Sequence, residues 1–459
     1  MIRFAVLGDI HYTVERLHGH ELEHGTWGRA DLLRYAAARR DYYDVLAEEV
    51  RGSRPDFVVQ VGDLLTGHWD APEEAAEELR EALAWLDTCG APVYPVRGNH
   101  DDSGPAADAC NAVLSPHLDR LPRIGREGYS YEFSAGGARF VFVDCRESYT
   151  RPATQSWLRD LRSRLVPGER LFLFAHEPLY AVARPYFSAP AYVEAVREAV
   201  RDCPLDALFC GHAHNQAWTY HPDLGTSGAL QIKGCVVGER GLEPRPLDQM
   251  RTLLIAPPAQ FLGGYLEDTL PSWTLVEANS GGVRLTWNRI GGGVEGVLQW
   301  YRPAGTSATI EPHWAAAPPD RPLAAIRDAE LASLRAARIN MAFHGSDRAG
   351  KPVLLNGVPV GAAPTTGYFG PRVWLALQPE HLELIGRTNA VALQSFADER
   401  VCWGGVTFEV ETADGRVVRS DCGGPVFDTG FGSPEQMSAA GIERRAPGDL
   451  LGPATVRFR

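Results

Sequence analysis

The sequence predicts an α/β protein that carries a second, β-rich domain toward its C-terminal end. Three observations predict it. Apolar runs of four to seven residues recur through about residue 290, each closing on Gly or Ala and then on a residue able to bind a metal. Helical patterns lie between these runs, the alternation expected of a layered α/β domain. Beyond about residue 320 the pattern changes to short strands with hairpin signals. We therefore expect an α/β domain over residues 1–295, a linker over 296–322 and a β-rich, β-sandwich-like domain over 323–459.

The strand runs come first. They are RFAVLGD, ending at Asp9; DFVVQVGD, ending at Asp63; PVYPVRGNH, ending at His100; RLFLFAH, ending at His176; and ALFCGHAH, ending at His214. RFVFVD covers 139–144. Runs this rich in Val, Phe and Leu suit strands buried on both faces. Helices are expected over 31–51, 72–87, 154–165 and 190–201, with Pro72 at a favourable first position. Further strands are expected over 229–237, 251–256, 273–278 and 283–289. Gly291 to Gly293 and the Pro-rich stretch 316–322 break the pattern. The C-terminal region is expected to open with a helix, Leu323 to Arg338, and to continue as strands turned at Asn356-Gly357 and Asp414-Gly415.

Composition excludes several classes of function. Hydrophobic residues are 44% and charged residues 22% of the 459, the balance of a globular chain. No apolar run approaches the roughly 18 residues of a membrane span. The opening MIRFAVLGDI lacks the layout of a secretion signal, so a cytoplasmic location is expected. A formal charge of −13, without a basic run, argues against nucleic acid as main partner. The eight cysteines form no CxxC pair and read as scattered buried small residues.

The residues that close the runs carry the chemistry. Asp9, His11, Asp63, Asn99, His100, His176, His212 and His214 all fall at the carboxyl ends of expected strands, where α/β sheets bind ligands. Carboxylate, amide and imidazole together suit divalent Mn, Fe or Zn. In Asp-x-His and His-x-His, two ligands on one extended segment point the same way. Each motif alone has an ordinary structural reading as a turn or cap. Their joint occurrence, in this order and at strand ends, does not.

Gly8-Asp9-Ile10-His11, Gly62-Asp63, Gly98-Asn99-His100-Asp101, His176 and Gly211-His212-Ala213-His214 together resemble the calcineurin-like metallophosphoesterases over about residues 1–290. The resemblance implies a four-layer α/β/β/α sandwich and a centre of two divalent metal ions. It implies Asp9, His11 and His214 on the first metal, Asn99, His176 and His212 on the second, and Asp63 bridging. His100 would be the general acid or a stabiliser of the transition state, oriented by Asp101. The implied reaction is hydrolysis of a phosphoester in a small substrate by a hydroxide bridging the metals. Two close cations neutralise a phosphate that otherwise repels nucleophiles, and they acidify water.

Motif details narrow the class. Thr66 stands where purple acid phosphatases have Tyr, and His100 where lipid A precursor hydrolases have Arg. The combination is similar to that of bacterial cyclic nucleotide phosphodiesterases, so a phosphodiesterase is expected. The alternatives are a broad-specificity phosphomonoesterase, or a non-catalytic scaffold of this fold with a glycan-binding β-module. VLLNGVPVG and LELIGRTNAVAL look like modules that accompany glycan-active enzymes, hence the glycan contact considered for the C-terminal domain. His18, His20 and His24 among Glu15, Glu21 and Glu23 read as a solvated loop ahead of a pocket lining or an additional metal site; Tyr12, His68 and Trp69 read equally as substrate contacts or as rim or core; Arg97 reads as a surface ion-pair partner ahead of a phosphate contact; Asp144 reads as structural.

Overall fold

The computed structural model describes residues 1–24, 27–67, 69, 71–122, 125–180, 188–214, 216–233, 262–266, 271–291, 293–316, 326–344, 348–363, 373–420, 427–430 and 442–458. It divides into two compact units, the first comprising Met1–Leu179, Ser188–Pro244 and Leu262–Pro319. The expected strand 251–256 and the residue His68 lie outside the described residues, as do the side chains of His20 and His24.

The strands of the first unit are, in order, β1 (Ile2–Leu7), β2 (Phe57–Val61), β3 (Val93–Val96), β4 (Gly125–Glu127), β5 (Ser130–Ala135), β6 (Ala138–Val143), β7 (Arg170–Ala175) and β8 (Leu205–Cys210). They continue as β9 (Gln216–His221), β10 (Ala229–Lys233), β11 (Leu262–Leu266), β12 (Ser272–Ala278), β13 (Gly282–Arg289), β14 (Gly293–Tyr301) and β15 (Glu311–Ala316). They build two mixed sheets, one of seven strands in the order β15-β14-β13-β12-β1-β2-β3 and one of eight in the order β11-β9-β10-β8-β7-β6-β5-β4. β1, β2 and β3 pair in parallel, as do β6, β7, β8 and β10.

Aromatic side chains join the two sheets. The Phe4 ring lies 5.5 Å from Phe140, 5.7 Å from Phe172, 5.9 Å from Phe174 and 6.0 Å from Phe209. Phe57 meets Phe133 at 5.2 Å and Phe140 at 4.9 Å, edge to face. Every residue of β2, β6, β7 and β8 is buried, which is why these runs are mostly apolar instead of alternating, with Gln60, Arg139, Arg170 and Asp206 their buried polar exceptions.

Helices brace the sheets. The long helix Trp27–Ser53 is fixed to the seven-stranded sheet through Glu49, which accepts from the Trp273 indole at 2.9 Å and from Gly291 N at 2.8 Å. Helix Pro72–Asp87 buries Ala75, Leu79, Ala82 and Leu86, one face at helical spacing. The expected helix 190–201 is Pro190–Val200, whose Tyr192 hydroxyl donates to the Glu177 carbonyl beyond β7 at 2.8 Å. The stretch 154–165 is two short helices, Pro152–Arg159 and Leu161–Arg164. Among the described residues no helix is long and apolar enough to cross a membrane, and the six described cysteines are buried and free.

Part of the stretch expected as linker is sheet. Gly291 and Gly293, with φ of 71° and 81°, turn the chain between β13 and β14, and β15 pairs with β14. Leu298 and Trp300 on β14 are fully buried, so the glycines make a hairpin and not an interdomain break.

The second unit includes residues 320–459. One sheet of six strands contains Leu334–His344 and Cys402–Thr412 at its centre, and another of four contains Lys351–Leu355 and Thr388–Gln394. Ile339, Met341, Trp403 and Phe408 of the first share one hydrophobic cluster with Val353, Val391, Leu393 and Leu451 of the second. Asn356-Gly357 turns a two-residue hairpin with φ of 51° and 85°. The helix expected over 323–338 is corrected: the described helix is Asp328–Leu331, and strand Leu334–His344 follows. Ala337, Ile339, Met341 and Phe343 are buried at alternate positions. Pairing on both edges of that strand outweighs the helix propensity of its Ala, Leu and Arg residues.

Candidate metal centre

Five parallel strands deliver the candidate ligands. Asp9 and His11 follow β1, Asp63 follows β2, Asn99 follows β3, His176 follows β7, and His212 and His214 follow β8. The loops are stitched across the two sheets. His212 N donates to Asp9 Oδ1 at 2.8 Å over 203 residues of sequence, and the His176 Nδ1 lies 2.9 Å from the Val61 carbonyl. His11 N and Tyr12 N donate to the carbonyls of Asp63 and Leu64 at 2.9 and 2.8 Å.

The backbone is bent sharply at these points. Asp9, His11, Asp63, His212 and His214 all have positive φ, between 40° and 68°. For a residue with a Cβ this conformation costs on the order of 1–2 kcal/mol. Such strain gathers where side chains must be aimed. The glycines before two ligands make room for others. A Cβ on Gly62 would stand 2.3 Å from His176 Nδ1, and one on Gly98 would stand 2.3 Å from Asp63 N and Oδ1.

The donor atoms fall into two groups. Asp9, His11, Asp63 and His214 bring one ligand atom each within 4.8 Å of one another, and so do Asp63, His176 and His212. Asn99 Oδ1 joins the second group, 2.9 Å from His176 Nε2 and 2.8 Å from His212 Nδ1. Asp63 belongs to both groups, so a single carboxylate faces two sites. Its Oδ2 lies 3.7 Å from His11 Nε2 and 3.3 Å from His176 Nε2.

These residues fit divalent cations. Asp9 Oδ2 is buried with no hydrogen-bond partner, an arrangement that a cation would satisfy. His11 Nε2 and His214 Nε2 face each other at 3.1 Å, a pair of ring nitrogens aimed at one point. Carbonyls hold the opposite nitrogens of two rings: Leu65 O lies 3.1 Å from His11 Nδ1, and Val61 O holds His176. Each such bond fixes the tautomer and leaves Nε2 for a metal. Burial holds the pKa values of His11 and His212 well below the ordinary range, which keeps both neutral and able to ligate. Burial alone would raise the Asp63 pKa, but His176 and the other histidines bring it well below the usual carboxylate range. Burial would likewise lower that of His176, yet the Asp63 carboxylate pushes it up to about 10. Without a metal, a proton on His176 therefore balances Asp63.

Residues 2–216 match the family model described as calcineurin-like phosphoesterase. This segment belongs to that family. A curated relative, the manganese-dependent ADP-ribose/CDP-alcohol diphosphatase of Danio rerio, is 33% identical over an alignment 147 residues long that covers 27% of this chain and 45% of that protein. The chain thus spans less than half the length of the curated relative it matches. Among solved structures, a dimetal phosphatase from Danio rerio aligns at 17% identity and TM-score 0.34, over 68% of this chain and 98% of its own. The purple acid phosphatase PPD1 of yellow lupin seeds aligns at 15% identity and TM-score 0.44, over 64% of this chain and 52% of its own.

The calcineurin-like centre has a floor and a rim. Asp9, His11, Asp63 and His176 are buried, whereas His100, His212 and His214 are partly exposed and Asn99 is exposed. His100 is held by its backbone N, which donates to Asp63 Oδ1 at 3.0 Å, and by its Nδ1, 2.6 Å from the Thr66 carbonyl. Asp101 acts differently from the expectation that it orients this imidazole. Its carboxylate accepts from the backbone N–H groups of Gly98, Leu64 and Leu65 at 2.8, 3.1 and 3.0 Å. A fully buried carboxylate is satisfied best by such amides, so Asp101 pins the loops that carry Asp63 and Asn99, and Thr66 orients the ring.

Other expectations change as well. Arg97 is not a surface residue; its buried guanidinium pairs with Asp144 at 2.7 Å and Asp102 at 2.9 Å and stacks on Tyr129. His18 does not sit in a solvated loop. It is buried, 2.9 Å from Glu78 Oε1, and the same carboxylate accepts from Val14 N at 2.5 Å and from the Trp69 indole at 2.7 Å. Glu78 thus gathers the chain after His11 and the chain after Asp63, a role absent from the sequence reading. Its one visible signal is a carboxylate on the apolar face of helix Pro72–Asp87. Tyr12 packs as core, 5.8 Å from Tyr43 and 6.1 Å from Trp85.

Proposed function

We propose that the calcineurin-like unit hydrolyses a phosphoester bond in a small substrate, with phosphodiesters and diphosphates preferred. The observation that carries this reading is the single carboxylate, Asp63, common to two ligand groups. In it, Asp9, His11 and His214 hold one divalent ion, Asn99, His176 and His212 hold the other, and Asp63 bridges. When bound, the two ions supply Lewis acidity to phosphate oxygens and lower the pKa of water. Manganese is the first ion to test, with iron and zinc beside it, since the donors suit all three.

The chain's own residues do the rest. With neutral imidazoles, Asp9 and Asp63 contribute the only formal charges among these ligands, so two divalent ions leave the centre positive toward a phosphate. Asn99 adds a donor without adding negative charge. His100 stands at the rim with Nδ1 committed to Thr66, so Nε2 is the nitrogen presented to substrate. Its task is to give a proton from Nε2 to the leaving oxygen, worth roughly 10²–10⁴ in rate. The preference for diesters and diphosphates rests on the diphosphatase named among the relatives. One helix fixed to each of the two sheets supports the four-layer order.

The test is hydrolysis of bis-p-nitrophenyl phosphate, ADP-ribose and p-nitrophenyl phosphate by the full chain loaded with manganese, with metal content measured alongside. The expected result is two metal equivalents and turnover of the first two substrates above the third. A fully loaded protein inert to all three would refute the reading.

A further inference from the structure

One face of helix Trp27–Ser53 grips the segment that carries Asp9 and His11. Tyr35, Arg39 and Tyr43 lie four residues apart and so share a stripe. The Tyr35 ring stacks on the His11 imidazole, with centroids 4.2 Å apart and planes 16° apart. Arg39 donates to the Thr13 carbonyl at 3.2 Å, and its guanidinium lies 4.7 Å from the centre of the Tyr12 ring. The Tyr43 hydroxyl donates to the Ile10 carbonyl. Ile10 sits between two left-handed residues, Asp9 at φ 43° and His11 at φ 40°. The stripe therefore contacts the strained segment on both sides of its bend and on its ligand ring.

That ring has one soft coordinate. Rotation about the last bond of an imidazole side chain is broad and poorly restrained by its own torsional preference. The contact of Nδ1 with Leu65 O fixes one edge of the ring but lets the plane tilt about that contact. A stacked ring over the face removes the tilt. We infer that Tyr35 is a positioning residue for the first metal: its ring sets the plane of His11 so that Nε2 faces His214 and Asp63. Tyr35 is itself buried at 4% exposure, with no route to substrate, so it acts through the ligand. The inference rests on the two-metal reading above and names the device that holds one half of it.

The test is manganese binding to the full chain, by calorimetry and by the electron paramagnetic resonance signal of coupled manganese, for Tyr35→Phe and Tyr35→Leu. Tyr35→Phe keeps the stack and should retain two equivalents at wild-type affinity. Tyr35→Leu loses it and should weaken one of the two sites by about 10- to 100-fold, the usual range for a ligand's supporting partner, with loss of the coupled signal and the other site unchanged. Tyr35→Met, which keeps bulk without a ring plane, carries the same expectation where Tyr35→Leu fails to fold. Wild-type affinity at both sites in Tyr35→Leu or Tyr35→Met overturns the inference, as does equal weakening in Tyr35→Phe. Fewer than two equivalents in the wild type overturns the two-metal reading instead, so the failures are distinguishable.

Discussion

Gly98→Ala offers a sharp test of how the centre is built. Gly98 stands two residues after β3, and its φ needs no glycine. A Cβ there would stand 2.3 Å from both Asp63 N and Asp63 Oδ1, and 3.0 Å from Asp63 Cγ. Ordinary contact begins near 3.4 Å, so either Asp63 or the Gly98 loop must move by about 1 Å. Overpacking of this kind costs about 1–3 kcal/mol of stability. A misplacement of about 1 Å costs on the order of 10² in rate. Because Asp63 serves both ligand groups, the variant should lose affinity at both metal sites together. Steady-state kinetics on bis-p-nitrophenyl phosphate, metal content and thermal melting measure the three effects. Gly52→Ala is the control: nothing lies within 4 Å of its Cβ, and it sits in helix Trp27–Ser53, so activity should hold and stability should not fall. A Gly98→Ala enzyme with wild-type metal content and a rate within about threefold would refute the reasoning.

The remaining predictions follow from the same geometry. Asp63→Asn should strip both metals and abolish turnover, measured by elemental analysis and rate; retention of either metal at full occupancy contradicts the shared carboxylate. His100→Ala should keep both metals and lose about 10²–10⁴ in rate on a poor leaving group, with a smaller loss on a good one. Metal uptake at His176 should release one proton near neutral pH, read by calorimetry in buffers of different ionisation enthalpy. The sign follows from its pKa, raised from 6.5 to about 10 by Asp63. The His176–Asp63 pair stabilises the metal-free fold fully below 6.5, and that stabilisation is lost as pH rises toward 10, while metal affinity rises over the same interval. Glu78→Ala should cost about 3–5 kcal/mol in denaturant unfolding, because it strands buried His18 and the Val14 N–H and leaves the partly buried Trp69 indole without its acceptor; a loss under about 1 kcal/mol would mean the hub is dispensable.

The sequence alone determined the strand–helix alternation and the identity of the ligand candidates. Both are local properties: burial on two faces makes a run apolar, and metal chemistry needs carboxylates and imidazoles wherever a strand ends. What only the tertiary structure decided depends on contacts between distant segments. That Asp101 holds amides instead of the His100 ring, and that Glu78 and Tyr35 support the ligand loops, arises where the loops after β1, β2 and β3 meet two helices. The same reason explains Leu334–His344. Its residues favour a helix taken alone, and it is a strand because partners far along the chain pair with both its edges.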